Sequence, residues 1–256
     1  MSIQTELTRL TNAKAAIKTA IEGKGVTVPE ATLLDGMAAL IDSIEAGGGA
    51  TEPYVEEVID GNGDITNATL HGYTIIRNNA FNDCAKLALA SLSSGLTSIG
   101  NNAFGGCTKL ALTSLPSGLT SIGNYAFQNC SSLALTSLPS GITSIGTSAF
   151  QNCSSLALTS LPSGLTSIGN YAFYNCPSLA LTSLPSGLTS IGSNAFYNCS
   201  SLASLTFEGK PESISKSAFK ECTNLTTINV PWAPGAVANA PWGAINATIN
   251  YNSTGA

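Results

Sequence analysis

Along this chain the hydrophobic positions return every 23 residues, not at the steps of two or of three to four that mark an isolated strand or helix. Ile76, Ala80, Phe81, Cys84 and Leu87 open the series, and each recurs at that step as far as Ile214, Ala218, Phe219, Cys222 and Leu225. Every unit reads Ile-x-x-x-Ala-Phe-x-x-Cys-x-x-Leu, followed by a short apolar stretch and in most units Pro-Ser-Gly-Leu-Thr-Ser. Such a period predicts a solenoid. One unit cannot bury its own apolar ridge, whereas stacked copies form a continuous core in which equivalent side chains sit on one another. Strands in adjacent turns lie about 4.8 Å apart, so Phe81 to Phe219 are expected to form a ladder of seven rings.

Both ends break the period. A terminal turn exposes core unless it is capped. Residues 52–75, with strand-like runs at Tyr54–Ile59 and Ile65–Leu70, read as the leading cap of repeats spanning 76–230. Residues 231–256 read as the trailing cap, with Trp232 and Trp242 covering the last turn. Residues 1–46 follow another pattern: Ile3, Leu7, Leu10, Lys14, Ile17 and Ile21 alternate four and three apart, a heptad seam broken only by Lys14. A turn over Gly23–Pro29 and a second apolar face at Leu34, Met37, Ile41 and Ile44 predict a helical hairpin, or a self-associating bundle that would make the chain a homo-oligomer. Residues 47–51 form a Gly-rich linker. The expected fold class is an α/β to mainly-β repeat solenoid preceded by an N-terminal helical hairpin.

The unit Leu-Thr-Ser-Ile-Gly-x-x-Ala-Phe-x-x-Cys-x-x-Leu resembles the BspA-like, or Treponema-type, leucine-rich repeat of bacterial surface proteins, from about Ile76 to Pro231. The resemblance implies a right-handed superhelix with a parallel sheet on one face and short strands or single helical turns on the other. The chain departs from the family in one respect. The family spacing Leu-x-x-Ile-x-Ile-Pro is seen at Leu225–Pro231 and, without the proline, at Leu202–Phe207. The middle units instead read like Leu133-Ala134-Leu135-Thr136-Ser137-Leu138-Pro139. Either Thr136 and its equivalents face inward with satisfied hydroxyls, or the strand is re-phased to bury Leu135. In the head, the run Leu10–Val26 resembles the N-terminal module of tail and tail-fibre proteins of phages and prophages of gut Firmicutes. Together the two resemblances imply a virion-attached head carrying a repeat domain that touches the host surface.

Composition changes the picture mainly through charge. Charged residues make up 10% of the chain, against about 25% in a typical domain, and Ser, Thr, Asn and Gly replace them. A net charge of −5 without a basic stripe argues against a nucleic-acid partner. No stretch approaches the roughly 20 apolar residues of a membrane-spanning helix. Met1–Leu7 lacks a basic segment leading into an apolar one, so no Sec-type signal peptide is expected. The expected locations are a virion or release by lysis, or alternatively the cell surface or exterior by another route.

Candidate chemistry is sparse. The seven cysteines, evenly spaced and without CxxC or Cys/His clusters, are expected to be core thiols, neither disulfides nor metal ligands. Asp60-Gly61-Asn62-Gly63-Asp64 echoes the start of an EF-hand loop, but Ile65 stands where a glycine is needed and His71 where the closing glutamate belongs. A tight turn is expected there, and His71 is expected to be a cap or surface residue. Between Ala88 and Thr206 the only charged side chain is Lys109. No carboxylate pair exists there for glycoside cleavage, and no histidine to activate the many hydroxyls. No enzyme, catalytic residue or cofactor is expected.

Binding remains. On the family alignment the residues pointing out between two inward positions are Ser91, Ser114, Ser137, Ser160, Ser183, Thr206 and Asn229. Tyr125, Tyr171, Tyr174 and Tyr197 fall on the opposite, turn-side face, where a large ring with a polar tip could stack on sugars or anchor a protein. The competing reading is a merely soluble sheet face and tyrosines packed along the coil. An uncharged surface favours a bacterial surface protein or a neutral glycan, bound with weak salt dependence. A tail-associated recognition protein, a BspA-like adhesin and a spacer without ligand are the functions to separate.

Overall fold

The computed structural model of the protein describes residues 54–89 and 91–252. The expected helical hairpin and linker lie outside these residues, and no α-helix occurs among the described ones. The core is the predicted ladder. Phe81, Phe104, Phe127, Phe150, Phe173, Phe196 and Phe219 are buried and stacked, successive ring centroids lying 5.1–5.5 Å apart. Parallel columns of Ile, Ala, Cys and Leu surround the rings, so each apolar position of the period is a buried rung.

What joins one rung to the next is backbone hydrogen bonding on the turn side. Phe127 N–H donates to the carbonyl of Ala149 at 2.8 Å, and Phe150 N–H to that of Ala172 at 2.9 Å, a pattern repeated along the array. Two residues in most turns take up a left-handed conformation. One precedes Ala-Phe (Asn79, Asn102, Tyr125, Ser148, Tyr171, Asn194) and the other precedes Cys (Asp83, Asn129, Asn152, Asn175, Asn198, Glu221). Gly, Asn and Asp tolerate that region best, which explains the recurring asparagines. The expected helical turns of this side are therefore tight turns.

The strands lie on two sides. Strands β1 (Tyr54–Ile59) and β2 (Ile65–His71) form a separate two-stranded sheet at the leading end. The short strands β3 (Ile75–Ile76), β4 (Ser98–Ile99) and β5 (Ser121–Ile122) pair in parallel. So do β6 (Ser144–Ile145), β7 (Ser167–Ile168), β9 (Ser190–Ile191) and β11 (Ser213–Ile214). A further parallel sheet, β8 (Ser183–Leu184), β10 (Ser204–Phe207), β12 (Thr227–Asn229) and β13 (Thr248–Asn250), occupies only the trailing end.

This distribution corrects the expectation of one sheet running the length of the Leu-rich face, and it decides between the two alternatives. Leu133, Leu135 and Leu138 are buried, while Thr136 and Ser137 are exposed. Inward residues three apart cannot belong to a strand, whose faces alternate every two residues. The backbone is re-phased to bury Leu135, and the middle units lose strand structure there. Where Leu205 and Phe207 restore the alternation, β10 forms.

Close stacking of turns demands glycine in the Ser-Ile-Gly strands. A Cβ on Gly169 would lie 2.8 Å from the backbone carbon of Gly146 and the nitrogen of Thr147. At the trailing end Trp232 and Trp242 are buried and pack on Phe207 at centroid distances of 5.3 and 5.7 Å, which closes the core. At the leading end Asp60 caps its own turn by accepting from Asn62 and Asp64 N–H, and Lys86 bridges Asp60 and Asp64 at 2.7 and 2.8 Å. The Asp-Gly-Asn-Gly-Asp segment is thus a pinned tight turn, with the Asp60 carboxyl held below its ordinary pKa by Lys86.

Candidate recognition surface

Stacking in register turns each variable position of the repeat into a column, so the surface is a set of parallel columns. On the Leu-rich side Ser91, Ser114, Ser137 and Ser160 are exposed, and they lie outside any strand. Ser183, Thr206 and Asn229 continue that column on β8, β10 and β12 in direct register. They are not all free: Ser183 donates to Glu208 at 2.7 Å, and Asn229 donates to Thr206 at 3.2 Å.

The Ser-Ile-Gly side carries a second hydroxyl column that the repeat pattern alone did not single out. Thr97, Thr120, Thr166 and Thr189 donate their hydroxyls to the carbonyl of the preceding turn at 2.9–3.1 Å. The neighbouring serines Ser144, Ser167, Ser190 and Ser213 make no side-chain hydrogen bond among the described residues and line a shallow groove of about 480 Å³ with Asn124, Thr147 and Asn170. The Thr-Ser pairing could have signalled this in the sequence, since in Thr166-Ser167 and Thr189-Ser190 the threonine hydroxyl closes the ladder and the serine hydroxyl is left to the groove.

The turn side holds the tyrosines. Tyr125 and Tyr171 are 37% and 39% exposed, which shows that neither is core. Tyr171 meets Tyr174 at 5.8 Å, and Tyr174 stacks on Tyr197 at 4.6 Å with planes 8° apart. Tyr125 stands two turns away from this cluster in the column of Tyr171. Beside the rings run amide ladders that were not anticipated. Gln128 donates to Gln151 at 3.1 Å, and Asn152, Asn175 and Asn198 each donate to the asparagine of the preceding turn at 2.8–3.1 Å.

The cysteines form a column of a different kind. All seven are buried thiols. From Cys107 to Cys222 each Sγ donates to a phenylalanine carbonyl of the preceding turn at 2.9–3.1 Å. Burial raises the pKa values of Cys107 to Cys222, to about 12 for Cys130 and Cys176 and about 11 for Cys222. A thiol so placed is a poor nucleophile and a poor metal ligand, because both roles need the thiolate.

The BspA type leucine-rich repeat region matches residues 74–180 and 154–233, with six copies. The chain belongs to the BspA-type leucine-rich repeat family. Its buried Ile, Ala-Phe, Cys and Leu columns are how this member of the family builds a shared core. Among solved structures it is similar to the T. pallidum leucine-rich repeat protein TpLRR, at 30% identity over 67% of this chain and 88% of that one, with a TM-score of 0.54. It is also similar to a leucine-rich repeat protein from Bacteroides ovatus ATCC 8483 (17% identity, 80% and 76% covered, TM-score 0.42). A leucine-rich cell surface protein from Faecalibacterium prausnitzii A2-165 matches at 16% identity, with 80% and 96% covered and a TM-score of 0.34. No curated protein matches the chain.

Proposed function

We propose that this protein is a non-enzymatic recognition module that binds a protein or a neutral glycan on a bacterial cell surface through its repeat columns. The observation that supports the reading is the absence of charge from residues 110 to 207, across several turns of exposed hydroxyl, amide and phenol groups. A surface of that kind has little to offer an ionic ligand, and an enzyme would need acids or bases that the segment lacks. Labelled full-length protein is expected to bind bacterial cells saturably, with affinity changing less than about twofold between low and high salt, where only charge–charge attraction is screened. Steep loss with salt would point to an ionic ligand instead, and no binding to any envelope would leave a spacer.

The head resembling phage tail modules carries the proposal of where the module is mounted, at the tip or side of a phage or prophage tail. Membership of the BspA-type family favours the rival, an adhesin displayed by the producing cell. Antibody labelling distinguishes them: gold on purified tail particles is expected for the first, and gold on intact producing cells for the second.

A further inference from the structure

We infer, resting on the recognition role proposed above, that the ligand is a linear neutral polysaccharide lying along the turn side of the array, across the tyrosines and amide ladders between Tyr125 and Asn198. The first ground is where the units differ from one another. Residues 122–144, 145–167 and 168–190 are three consecutive units that are identical at all but five positions. One of the five is the buried Ile142/Leu165/Leu188 column. Three of the other four fall in the turn-side segment, Tyr125/Ser148/Tyr171, Gln128/Gln151/Tyr174 and Ser131/Ser154/Pro177, and the fourth, Asn124/Thr147/Asn170, borders it at the edge of the Ser-Ile-Gly groove. The Leu-rich side, with Thr136 and Ser137, is the same in each unit. The exposed side chains that change from turn to turn are thus concentrated on the turn side and at its border.

The second ground is the cost accepted there. Tyr125 and Tyr171 hold left-handed backbones, with φ of 58° and 56°. Asn102 and Asn194 occupy the same column with the same backbone, so an intrinsically better residue is available and is used elsewhere. A tyrosine in that conformation is strained relative to asparagine, yet both rings are more than a third exposed. Core packing does not explain them.

The third ground concerns the chemistry and its spacing. The column Gln128, Gln151, Tyr174, Tyr197 sets two bonded amides and two stacked rings in line, and the asparagine ladder runs beside it. Each bonded amide uses one N–H within the ladder and keeps a second. The donors are therefore held in place before any ligand arrives, which lowers the ordering cost of binding. Charge appears in these columns only beyond the patch, at Asp83 on one flank and Lys220 and Glu221 on the other. Rings suit the C–H faces of pyranoses, and amide N–H groups suit their hydroxyls. Turns repeating about every 4.8 Å present like groups at equal intervals. That regularity fits a polymer of like units.

The test begins with full-length protein on an array of neutral and charged polysaccharides, followed by titration with oligosaccharides of increasing length cut from whatever binds. The expected result is at least one neutral linear polysaccharide bound, with affinity rising tenfold or more from disaccharide to hexasaccharide. The double variant Tyr125→Asn/Tyr171→Asn should lose at least tenfold in affinity while its urea midpoint stays the same or rises, an outcome that a purely structural role would not give. Tyr174→Ala/Tyr197→Ala provides the second variant. Binding retained by both double variants, or no neutral polysaccharide bound, overturns the inference. Cell binding in the latter case leaves the recognition role standing; its absence removes both.

Discussion

A thiol that donates to a carbonyl between stacked rings has no water with which to solvate a thiolate, and that fixes how the cysteines behave. Burial holds Cys130 and Cys176 up at about 12 and Cys222 at about 11, and likewise raises Cys107, Cys153 and Cys199 well above the ordinary thiol range. In the unfolded chain a cysteine ionises near 8.5. Above that pH the unfolded state releases protons that the folded state keeps, so stability falls as pH rises; below it the full contribution is present. Each such thiol adds a slope of about 1.4 kcal/mol per pH unit between the two pKa values. The urea midpoint should therefore be level from pH 6 to 8 and fall above about 9, less steeply in Cys153→Ala. A midpoint level through pH 10 would count against this account. The same burial predicts that a thiol reagent finds no fast-reacting cysteine in the native protein and all seven after denaturation.

At the scale of the repeat element, the decisive feature is which of two neighbouring residues turns inward. Leu135 has no exposed surface while Thr136 is exposed. Leu135→Ala should then cost about 2–5 kcal/mol, and Thr136→Ala no more than about 0.5 kcal/mol, read from urea unfolding. The family register with Thr136 inward predicts the reverse order. Ile, Ala-Phe, Cys and Leu at the 23-residue step were legible as core because each such residue must sit on its copies. The phase of Leu-Ala-Leu-Thr-Ser-Leu was not. The family phase buries Leu133 and Leu138 with Thr136, whereas the observed phase buries Leu133, Leu135 and Leu138, and packing against the adjacent turns selects it. Tyr125 and Tyr171 are exposed while Tyr174 and Tyr197 stack along the coil, so the sequence left both readings open. The ladders of Asn129 to Asn198 were not legible, because asparagine recurring before cysteine also serves as the left-handed residue of a turn. One residue type there meets a backbone need and builds a side-chain network, and sequence reveals only that it repeats.

On the scale of the whole molecule, stability is close to a sum of units and their interfaces, so the array should tolerate loss of a unit from its middle better than loss of an end. Excising residues 145–167 joins Ser144 to Ile168, a junction identical in sequence to the native Ser144-Ile145 and Ser167-Ile168. It brings Phe127 against Phe173, restoring a rung-to-rung stack, and it sets Tyr125 one turn from Tyr171. That variant should fold, with a denaturant slope reduced in step with the surface it no longer buries. Removing residues 231–256 instead strips Trp232 and Trp242 from Phe207 and leaves the Phe219 rung and its column uncovered. The truncated chain should lose most of its stability at the trailing end and associate through the exposed face, as seen by light scattering. The two deletions are similar in length, at 23 and 26 residues, so any account based on the number of residues lost predicts similar damage. If the core is one stack closed by tryptophans, the end deletion must be the more harmful, and equal losses in the two variants would mean that the caps do not close it.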